Sequence, residues 1–313
     1  MAQDRTGGLQ KQQITGQPTA ELITGLLHAG DQAAWISAAL ALALPDDGAG
    51  AGGPPSDLRD AAVVLLHGLG IDLSDIEPAD RAALGAQASA PLHQTAALAA
   101  GRALSWSDQP DEALLAQGRM SARSVAVFYD SVLPLLAGLG EALAERDALM
   151  LDVGTGVGAL ALAYAERFPA LHVVGIDVLP RVLALATHAA QSHAAGARVH
   201  WRLQDVRELA EVRRYALAWV PAPFLAESVL RSGLVRVARA LRPGGWILLA
   251  HGRFDGDPTA AAVTRFKTVA YGGTALDHSQ ADAVLREIGF VDIVRAPAMA
   301  GFPTMSAARV PPR

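Results

Sequence analysis

From residue 148 onward, short apolar runs of strand length alternate with helical stretches, and no other feature of the chain restricts its fold as strongly. The strand-length runs are almost continuously apolar, which is typical of strands buried on both faces of a parallel sheet. Successive strand–helix–strand units of this kind predict an α/β fold with a doubly wound sheet. The predicted strands are Ala148–Val153, His172–Asp177, Val199–Gln204, Ala216–Val220 and Trp246–Ala250, and the helices between them are Ala159–Arg167, Arg181–Gln191 and Glu227–Leu241.

The end of the chain departs from this alternation. After a predicted helix at Ser279–Ile288, two strand-like segments, Val291–Arg295 and Thr304–Val310, are joined by a short loop that contains Pro and Gly. Adjacent strands with so short a connection pair antiparallel, because a parallel pair needs a long crossover. We therefore expect an antiparallel last strand in the sheet.

The chain ahead of the first strand shows helical patterns only. Residues 1–18 are polar and rich in Gln, which predicts a flexible arm. We expect this arm to be followed by an all-helical lid or dimerisation region at 19–110 and by a ligand-binding domain at 111–313. The predicted helices are Thr19–Leu44 with a break near Gly30, Leu58–Leu69, Pro78–Arg102 and Asp111–Glu145.

Composition excludes several classes of protein. With no cysteine, the chain cannot carry a disulfide, a thiolate metal site or a cysteine nucleophile. A net charge of −5 with interspersed charges disfavours nucleic acid or an anionic membrane as partner, since both are bound by clustered cations. No stretch reaches the roughly 18 apolar residues of a membrane span, and the N-terminus lacks the features of a signal peptide. We expect a cytoplasmic protein.

A glycine-rich loop follows the first predicted strand. Gly154, Gly156 and Gly158 lie between strand and helix, where they let the backbone turn tightly and let a ligand approach bare peptide. The spacing also satisfies the looser dinucleotide fingerprint, with Ala159 in place of its last glycine. The loop alone therefore leaves a dinucleotide and another adenosine ligand open.

Three acids lie at the ends of successive strands and favour one of these ligands. Asp152 precedes the loop, where it would repel a phosphate but would bind an ammonium group. Asp177 ends the second strand, where a carboxylate can accept both ribose hydroxyls. Asp205 follows the third strand, where an acid can accept the adenine amino group. An adenosine ligand with an ammonium group and no phosphate fits this set.

The set resembles the motifs of class I S-adenosylmethionine-dependent methyltransferases. The similarity spans about Asp111 to Val310 and includes the turn Leu241–Trp246 ahead of the fifth strand. It implies a Rossmann-like sheet with an antiparallel last strand, and S-adenosylmethionine as cofactor with S-adenosylhomocysteine as product. The implied cofactor contacts are Asp152, Gly154, Gly156 and Gly158 for the methionine end, Asp177 for the ribose, Asp205 and Val206 for the adenine, and Leu179 for the face of the base. Arg119, near the start of the helix leading into this domain, is a candidate partner for the cofactor carboxylate.

The methyl acceptor is less constrained. Enzymes that methylate nucleobase amines resemble one another in an Asn/Asp-Pro-Pro-aromatic motif after the fourth strand, and this chain has Val220-Pro221-Ala222-Pro223-Phe224 there. This departure disfavours DNA or RNA as acceptor. Nothing in the sequence suggests the carboxylate cluster of metal-dependent catechol enzymes, so no metal is expected.

Candidate acceptor-site residues lie past the fourth and fifth strands. Trp219, Phe224 and Phe254 are candidates to stack on a planar substrate, the alternative being ordinary core packing. His251 is a candidate catalytic base, with a hydrogen-bonded structural role as the alternative, and Tyr271 is a weaker candidate of the same kind.

The sequence therefore predicts methyl transfer to O, N or C of a small, largely apolar, aromatic acceptor in bacterial secondary metabolism, such as antibiotic biosynthesis. A homodimer formed through the helical region is expected. Two alternatives stay open: a protein that binds S-adenosylmethionine without methylating, such as a cyclase or auxiliary protein, and an NAD-dependent oxidoreductase.

Overall fold

The computed structural model describes residues 19–44, 55–252, 254, 257–297 and 304–312. The predicted flexible arm, residues 1–18, lies outside the described residues. The chain divides into two compact units, one up to His93 and one from Gln94 onward. No helix in the described ranges is long and apolar enough to cross a membrane.

All the regular elements that the structure describes in the first unit are helical, as predicted. It contains α1 (Thr19–Ala43), α2 (Ser56–Gly68) and most of α3 (Pro78–Ala99). The predicted break near Gly30 is wrong, because α1 continues through it. A glycine inside a helix costs only about 1 kcal/mol relative to alanine, which a 25-residue helix tolerates. The small core of this unit is formed by Ala39, Ala62 and Leu66.

The segment that leads into the sheet is an interrupted helix. The prediction of one helix from Asp111 to Glu145 is wrong: α4 (Asp111–Val127) ends in a π-helical turn and a 3-10 turn, and α5 (Leu139–Ala144) follows separately. Pro134 lies in the 3-10 turn, where it has no backbone N–H to continue the α-helical hydrogen bonds. Gly138 then adopts a φ of 74°, which glycine accepts readily and which ends the helical path.

The predicted sheet is confirmed. Seven strands lie in the order β3-β2-β1-β4-β5-β7-β6; β1 to β5 are parallel, and β7 is antiparallel to both of its neighbours. The strands are β1 (Ala148–Val153), β2 (Leu171–Asp177), β3 (Val199–Leu203), β4 (Tyr215–Pro221), β5 (Leu241–His251), β6 (Val291–Arg295) and β7 (Thr304–Arg309). β5 is longer than predicted because Leu241 already pairs with Tyr215 ahead of a register shift.

Helices cover the sheet, and successive strand residues enter different cores. Met150 belongs to one buried cluster and its neighbour Leu151 to the other, which explains why β1 is apolar without alternation. The helices of this unit beyond α5 are α6 (Ala159–Arg167), α7 (Pro180–Gln191), α8 (Glu227–Ala240), α9 (Pro258–Ala270) and α10 (His278–Ile288). Helix α9 was not predicted from the sequence. Because β1 to β4 run parallel, their carboxyl ends meet at one edge of the sheet, and the candidate site lies there.

Candidate active site

The glycine loop has the backbone that its sequence requires. Gly154, Gly156 and Gly158 have φ values of 64°, 55° and 75°, in the left-handed region that L side chains rarely adopt. The N–H of Thr155 donates to the carbonyl of Ile176 at 3.0 Å and so fixes the loop to the neighbouring strand. Gly154 and Gly156 line a cavity of about 370 Å³, whereas Gly158 is outside its lining.

Gly158 has a packing role in this structure. A Cβ at this position would lie 2.6 Å from the indole of Trp201 and 3.0 Å from the Cβ of Ala186. The loop, β3 and α7 therefore approach more closely than any side chain would allow. The predicted contact between Gly158 and a ligand stays a prediction.

Asp152 is a buried acid in the wall of the cavity. Its side chain is 1% exposed, and the Thr155 hydroxyl donates to Oδ2 at 2.6 Å. Burial raises the pKa of Asp152 from its ordinary 3.8 to about 7, outweighing the hydrogen bond from Thr155. A cation entering the cavity would favour the ionised form of this carboxyl group.

Asp177 joins the end of β2 to the glycine loop. Oδ2 accepts the N–H of Gly156 and Oδ1 accepts the N–H of Leu179, both at 2.9 Å. Burial nevertheless raises the pKa of Asp177. A carboxylate offers about four acceptor positions, so two backbone donors leave room for two hydroxyl groups. Asp177 and Leu179 both line the cavity.

Asp205 is hydrogen-bonded to Arg207, two residues further along the same turn. The backbone N–H of Arg207 donates to Oδ1 at 2.8 Å, and its guanidinium donates to Oδ2 at 2.7 Å. The hydrogen bond from Arg207 lowers the pKa of Asp205, which keeps the carboxylate ionised. Asp205 and the buried Val206 both line the cavity. The structure thus brings all three predicted acids to one cavity.

Helix α4 packs directly on the glycine loop. A Cβ at Gly118 would lie 2.3 Å from Cγ2 of Val157, so α4 and the loop can come this close only because Gly118 has no side chain. Met120 and Ser121 of α4 line the cavity. Arg119, in contrast, is exposed and outside the lining, so its predicted pairing with a carboxylate stays a prediction.

The end of the cavity past β4 is aromatic and apolar. Trp219 is buried in its wall, and Phe224 lines it from the turn after β4. Trp106, in a 3-10 turn ahead of α4, also lines the cavity. Trp106 was not predicted from the sequence, because a single residue in a short turn has no periodicity to reveal it.

His251 lies at the end of β5 but outside the cavity lining, although its neighbour Ala250 lines it. The ring is fully buried, with Nε2 3.3 Å from the Ser306 hydroxyl, which donates to Asp282 at 3.0 Å. Burial lowers the pKa of His251 from 6.5 to about 4, so the ring is neutral at pH 7. This environment favours the structural role, and the role of catalytic base stays a prediction.

The other two predicted residues past β5 lie outside the cavity lining. Phe254 packs under the guanidinium of Arg265, whose carbon lies 4.4 Å from the ring centroid. Tyr271 stacks on Trp106 with a centroid distance of 4.6 Å. Tyr271 thus adjoins the cavity through Trp106, and the role of each residue stays a prediction.

Residues 150–245 match the sequence family described as "Methyltransferase domain". A release factor glutamine methyltransferase from Cereibacter sphaeroides is 31% identical over 235 residues, which cover 66% of this chain and 82% of that protein. The chain spans about half the length of the next relatives with that description.

Two solved structures show the same fold across both chains. An O-methyltransferase family protein from Burkholderia thailandensis has a TM-score of 0.68 at 16% identity, covering 95% of this chain and 99% of the other. Human N-acetylserotonin methyltransferase in complex with SAM has a TM-score of 0.64 at 17% identity, with the same coverage. Together with the glycine loop and the three acids at one sheet edge, the family match and the Cereibacter relative identify the family. The chain belongs to the class I S-adenosylmethionine-dependent methyltransferases.

Proposed function

We propose that this enzyme methylates an O, N or C atom of a small, largely apolar, aromatic acceptor of the kind made in secondary metabolism. The observation that carries the proposal is the composition of the cavity. It runs from Asp152, Asp177 and the glycine loop to a wall that contains Trp106, Trp219 and Phe224. Sites for small molecules have this character: largely apolar walls with a few polar groups that fix orientation.

The chain's residues fit the cofactor. Asp177 keeps acceptor positions for two ribose hydroxyls beside its two backbone donors. Asp152 offers a buried carboxyl group to a cationic ligand, and Gly154 and Gly156 leave space where a Cβ would stand. When bound, S-adenosylmethionine supplies an electrophilic methyl group on a sulfonium.

The contribution of the protein to the reaction is then mainly positioning. Holding an acceptor atom in line with the methyl group can lower the barrier by about 7–11 kcal/mol. The apolar wall keeps water from the reacting atoms. A base is needed only for an acceptor that arrives protonated, so the fully buried His251 is not required for every acceptor atom.

Glutamine methylation is a second candidate because of the name of the Cereibacter relative. A primary amide nitrogen carries two hydrogens, which need acceptors in the site. Pro221 and Pro223 line the cavity past β4, and their apolar side chains offer none. These two residues favour the small apolar acceptor over a glutamine side chain.

Calorimetric titration with S-adenosylmethionine, S-adenosylhomocysteine and NAD tests the cofactor first. We expect micromolar binding of the two sulfur compounds and none of NAD. The acceptor is then sought by incubating the enzyme with S-adenosylmethionine and either aromatic small molecules or a glutamine-containing peptide, with the gain of one methyl followed by mass spectrometry. Methylation of the peptide alone would refute the proposed acceptor class, and turnover of neither would favour a protein that does not methylate.

Asp177→Ala tests the ribose assignment. We expect it to weaken binding of S-adenosylmethionine by about 1.5–3 kcal/mol, the scale of a lost hydrogen bond to a charged group. Asp130→Ala, at an exposed position on the helical segment before β1, is the matched control and should leave affinity unchanged. Equal affinity of Asp177→Ala and the unaltered enzyme would refute the assignment.

We also propose that the enzyme is a homodimer formed through its N-terminal helices. Leu26, Leu27 and Trp35 of α1 are 64%, 69% and 67% exposed. Val64 of α2 is 72% exposed. Large apolar side chains gathered on the surface favour an interface with another chain.

A further inference from the structure

Three aromatic rings from distant parts of the chain form one cluster at the edge of the cavity. Trp106 stacks on Tyr271 at 4.6 Å with 25° between the ring planes, and meets Phe224 edge-on at 5.0 Å. We call these three residues the aromatic cluster. Trp106 and Phe224 line the cavity directly.

The backbone around the aromatic cluster is held by hydrogen bonds. The N–H of Thr274 donates to the carbonyl of Ala222 at 3.1 Å, and its hydroxyl donates to the carbonyl of Leu225 at 2.6 Å. These bonds tie the segment after α9, which carries Tyr271, to the turn that carries Phe224. On the other side, Gln109 Nε2 donates to the carbonyl of Ser105 at 3.2 Å and braces the turn that carries Trp106.

Two buried polar atoms distinguish this cluster. The indole N–H of Trp106 and the hydroxyl of Tyr271 are both buried, and neither has a hydrogen-bond partner among the described residues. A buried donor without a partner is costly, and such groups in native proteins need an explanation. Two in one stacked pair, at the edge of a ligand cavity, indicate groups that a ligand satisfies.

We propose that Trp106 and Tyr271 select the methyl acceptor, and that the acceptor is a planar aromatic molecule carrying a carbonyl oxygen. This inference deepens the proposed methyl transfer and rests on it. The indole N–H can only donate, so its partner must be a hydrogen-bond acceptor, and a carbonyl is an acceptor only. Burial raises the pKa of Tyr271 above its ordinary 10, so its hydroxyl stays protonated and can donate as well.

The aromatic cluster must open for this recognition, since both atoms are sealed from solvent. The free energy gained from one stacked aromatic pair is smaller than the free energy lost by burying two donors without hydrogen-bond partners. Exchanging the stack between Trp106 and Tyr271 for contacts with a planar acceptor, while both donors gain a partner, is therefore favourable. The planar ring of the acceptor replaces the stacking that Trp106 and Tyr271 lose. Its carbonyl oxygen adds the hydrogen-bond acceptor that the two donors otherwise lack.

The test measures two matched probes by calorimetry on the enzyme saturated with S-adenosylhomocysteine. The probes are 4-hydroxyacetophenone, which has a carbonyl oxygen, and 4-ethylphenol, which has the same carbon skeleton and hydroxyl group without it. We expect the ketone to bind at least roughly fivefold more tightly, and Trp106→Phe and Tyr271→Phe each to weaken it roughly three- to tenfold. Both variants keep an aromatic ring but lose the donor, so 4-ethylphenol should lose less affinity than the ketone in each variant, and less than about twofold in Tyr271→Phe.

The matched control removes the same hydroxyl group elsewhere. Tyr129→Phe, outside the aromatic cluster, should leave both probes unaffected. Equal binding of the two probes, equal losses for both probes in the variants, or no binding of the ketone would each overturn the inference. Failure of S-adenosylhomocysteine itself to bind would instead refute the proposed function. Retained binding of S-adenosylhomocysteine by each variant shows that the variant is folded.

Discussion

At the scale of single residues, a carboxyl group almost without solvent contact sets the expected pH dependence of the free enzyme. The pKa of Asp152 is about 7 in the folded protein against an ordinary 3.8. Between these values the folded state binds more protons than the unfolded state, so the free energy of unfolding falls as the pH rises from about 4 to about 7. Above pH 7 the buried carboxyl group is ionised, and the full cost of burying its charge then lowers the free energy of unfolding.

Asp152→Asn should therefore stabilise the enzyme in the absence of cofactor. We expect its melting temperature to exceed that of the unaltered enzyme by several degrees at pH 8 and by less at pH 5. The same substitution should weaken binding of S-adenosylmethionine, because the cationic ligand loses a negative partner. Asp130→Asn, at an exposed position, serves as control. A gain of the same size at both pH values would show that burial of a charge is not its cause.

His251 has the opposite effect on how stability depends on pH. Its pKa of about 4 lies below the ordinary 6.5, so the folded state binds fewer protons and stability rises as the pH rises from about 4 to about 6.5. We expect His251→Ala to lower the free energy of unfolding by about 2 kcal/mol through the lost packing and hydrogen bonds. The dependence of turnover on pH between 6 and 9 should keep its shape. Loss of a titration from that profile, with exposed His28→Ala unchanged, would support the base instead.

At the scale of elements, the contact between α4 and the glycine loop is tested by adding one methyl group. Gly118→Ala places a Cβ 2.3 Å from Cγ2 of Val157, so the helix or the loop must shift. We expect affinity for S-adenosylmethionine to fall roughly tenfold, about 1.4 kcal/mol, and calorimetry measures it. The double variant Gly118→Ala/Val157→Ala removes the clash and should restore most of the affinity.

Gly140→Ala is the control for this pair, because nothing lies within 4 Å of a Cβ at that position in α5. It should leave affinity unchanged. If Gly118→Ala behaved like Gly140→Ala, the packing of α4 on the loop would have no influence on cofactor binding.

Periodicity predicted the strands that are buried on both faces and missed one exposed helix. The strand Ala148–Val153 was predicted with the observed bounds because both of its faces are buried. Helix α9 was missed because Val263, Phe266 and Val269 are exposed, so it has no conventional buried stripe. The signal that could have revealed α9 is local: Asp257 accepts from two N–H groups of the first turn, followed by Pro258.

At the scale of the whole molecule, the proposed dimer predicts a mass in solution. Light scattering during size-exclusion chromatography should give about 65 kDa, twice the chain mass of 32.5 kDa. Leu26→Asp combined with Leu27→Asp should yield monomers, because charges replace apolar contacts in the interface. Val263→Asp, on exposed α9, is the control and should stay dimeric. A monomer from the unaltered chain would refute the dimer.

The fold class and the cofactor end of the site could be predicted from sequence, and the acceptor end could not. Asp152 and Asp177 lie at the carboxyl ends of β1 and β2, and Asp205 comes shortly after β3. Because these strand ends must meet, local motifs fix the common location of the three acids. Trp106 and Tyr271 come together through packing of segments far apart in the chain. No local pattern encodes such a meeting, and the depth at which His251 is buried is equally a property of the assembled fold.

The turn that carries Trp106 is fastened to the start of α7 by one side chain. The Arg181 guanidinium donates to the carbonyl of Gln109 at 2.7 Å and to that of Ser107 at 3.3 Å, and it pairs with Asp111. Arg181 lies two residues after Leu179, in the segment that borders the cofactor end of the cavity. On the proposed assignment of the cavity, substitutions at position 106 should alter acceptor preference alone, whereas substitutions at position 181 should affect both acceptor and cofactor. Among related enzymes that differ in acceptor but share the cofactor, we therefore expect residue 106 to vary and residue 181 to be kept.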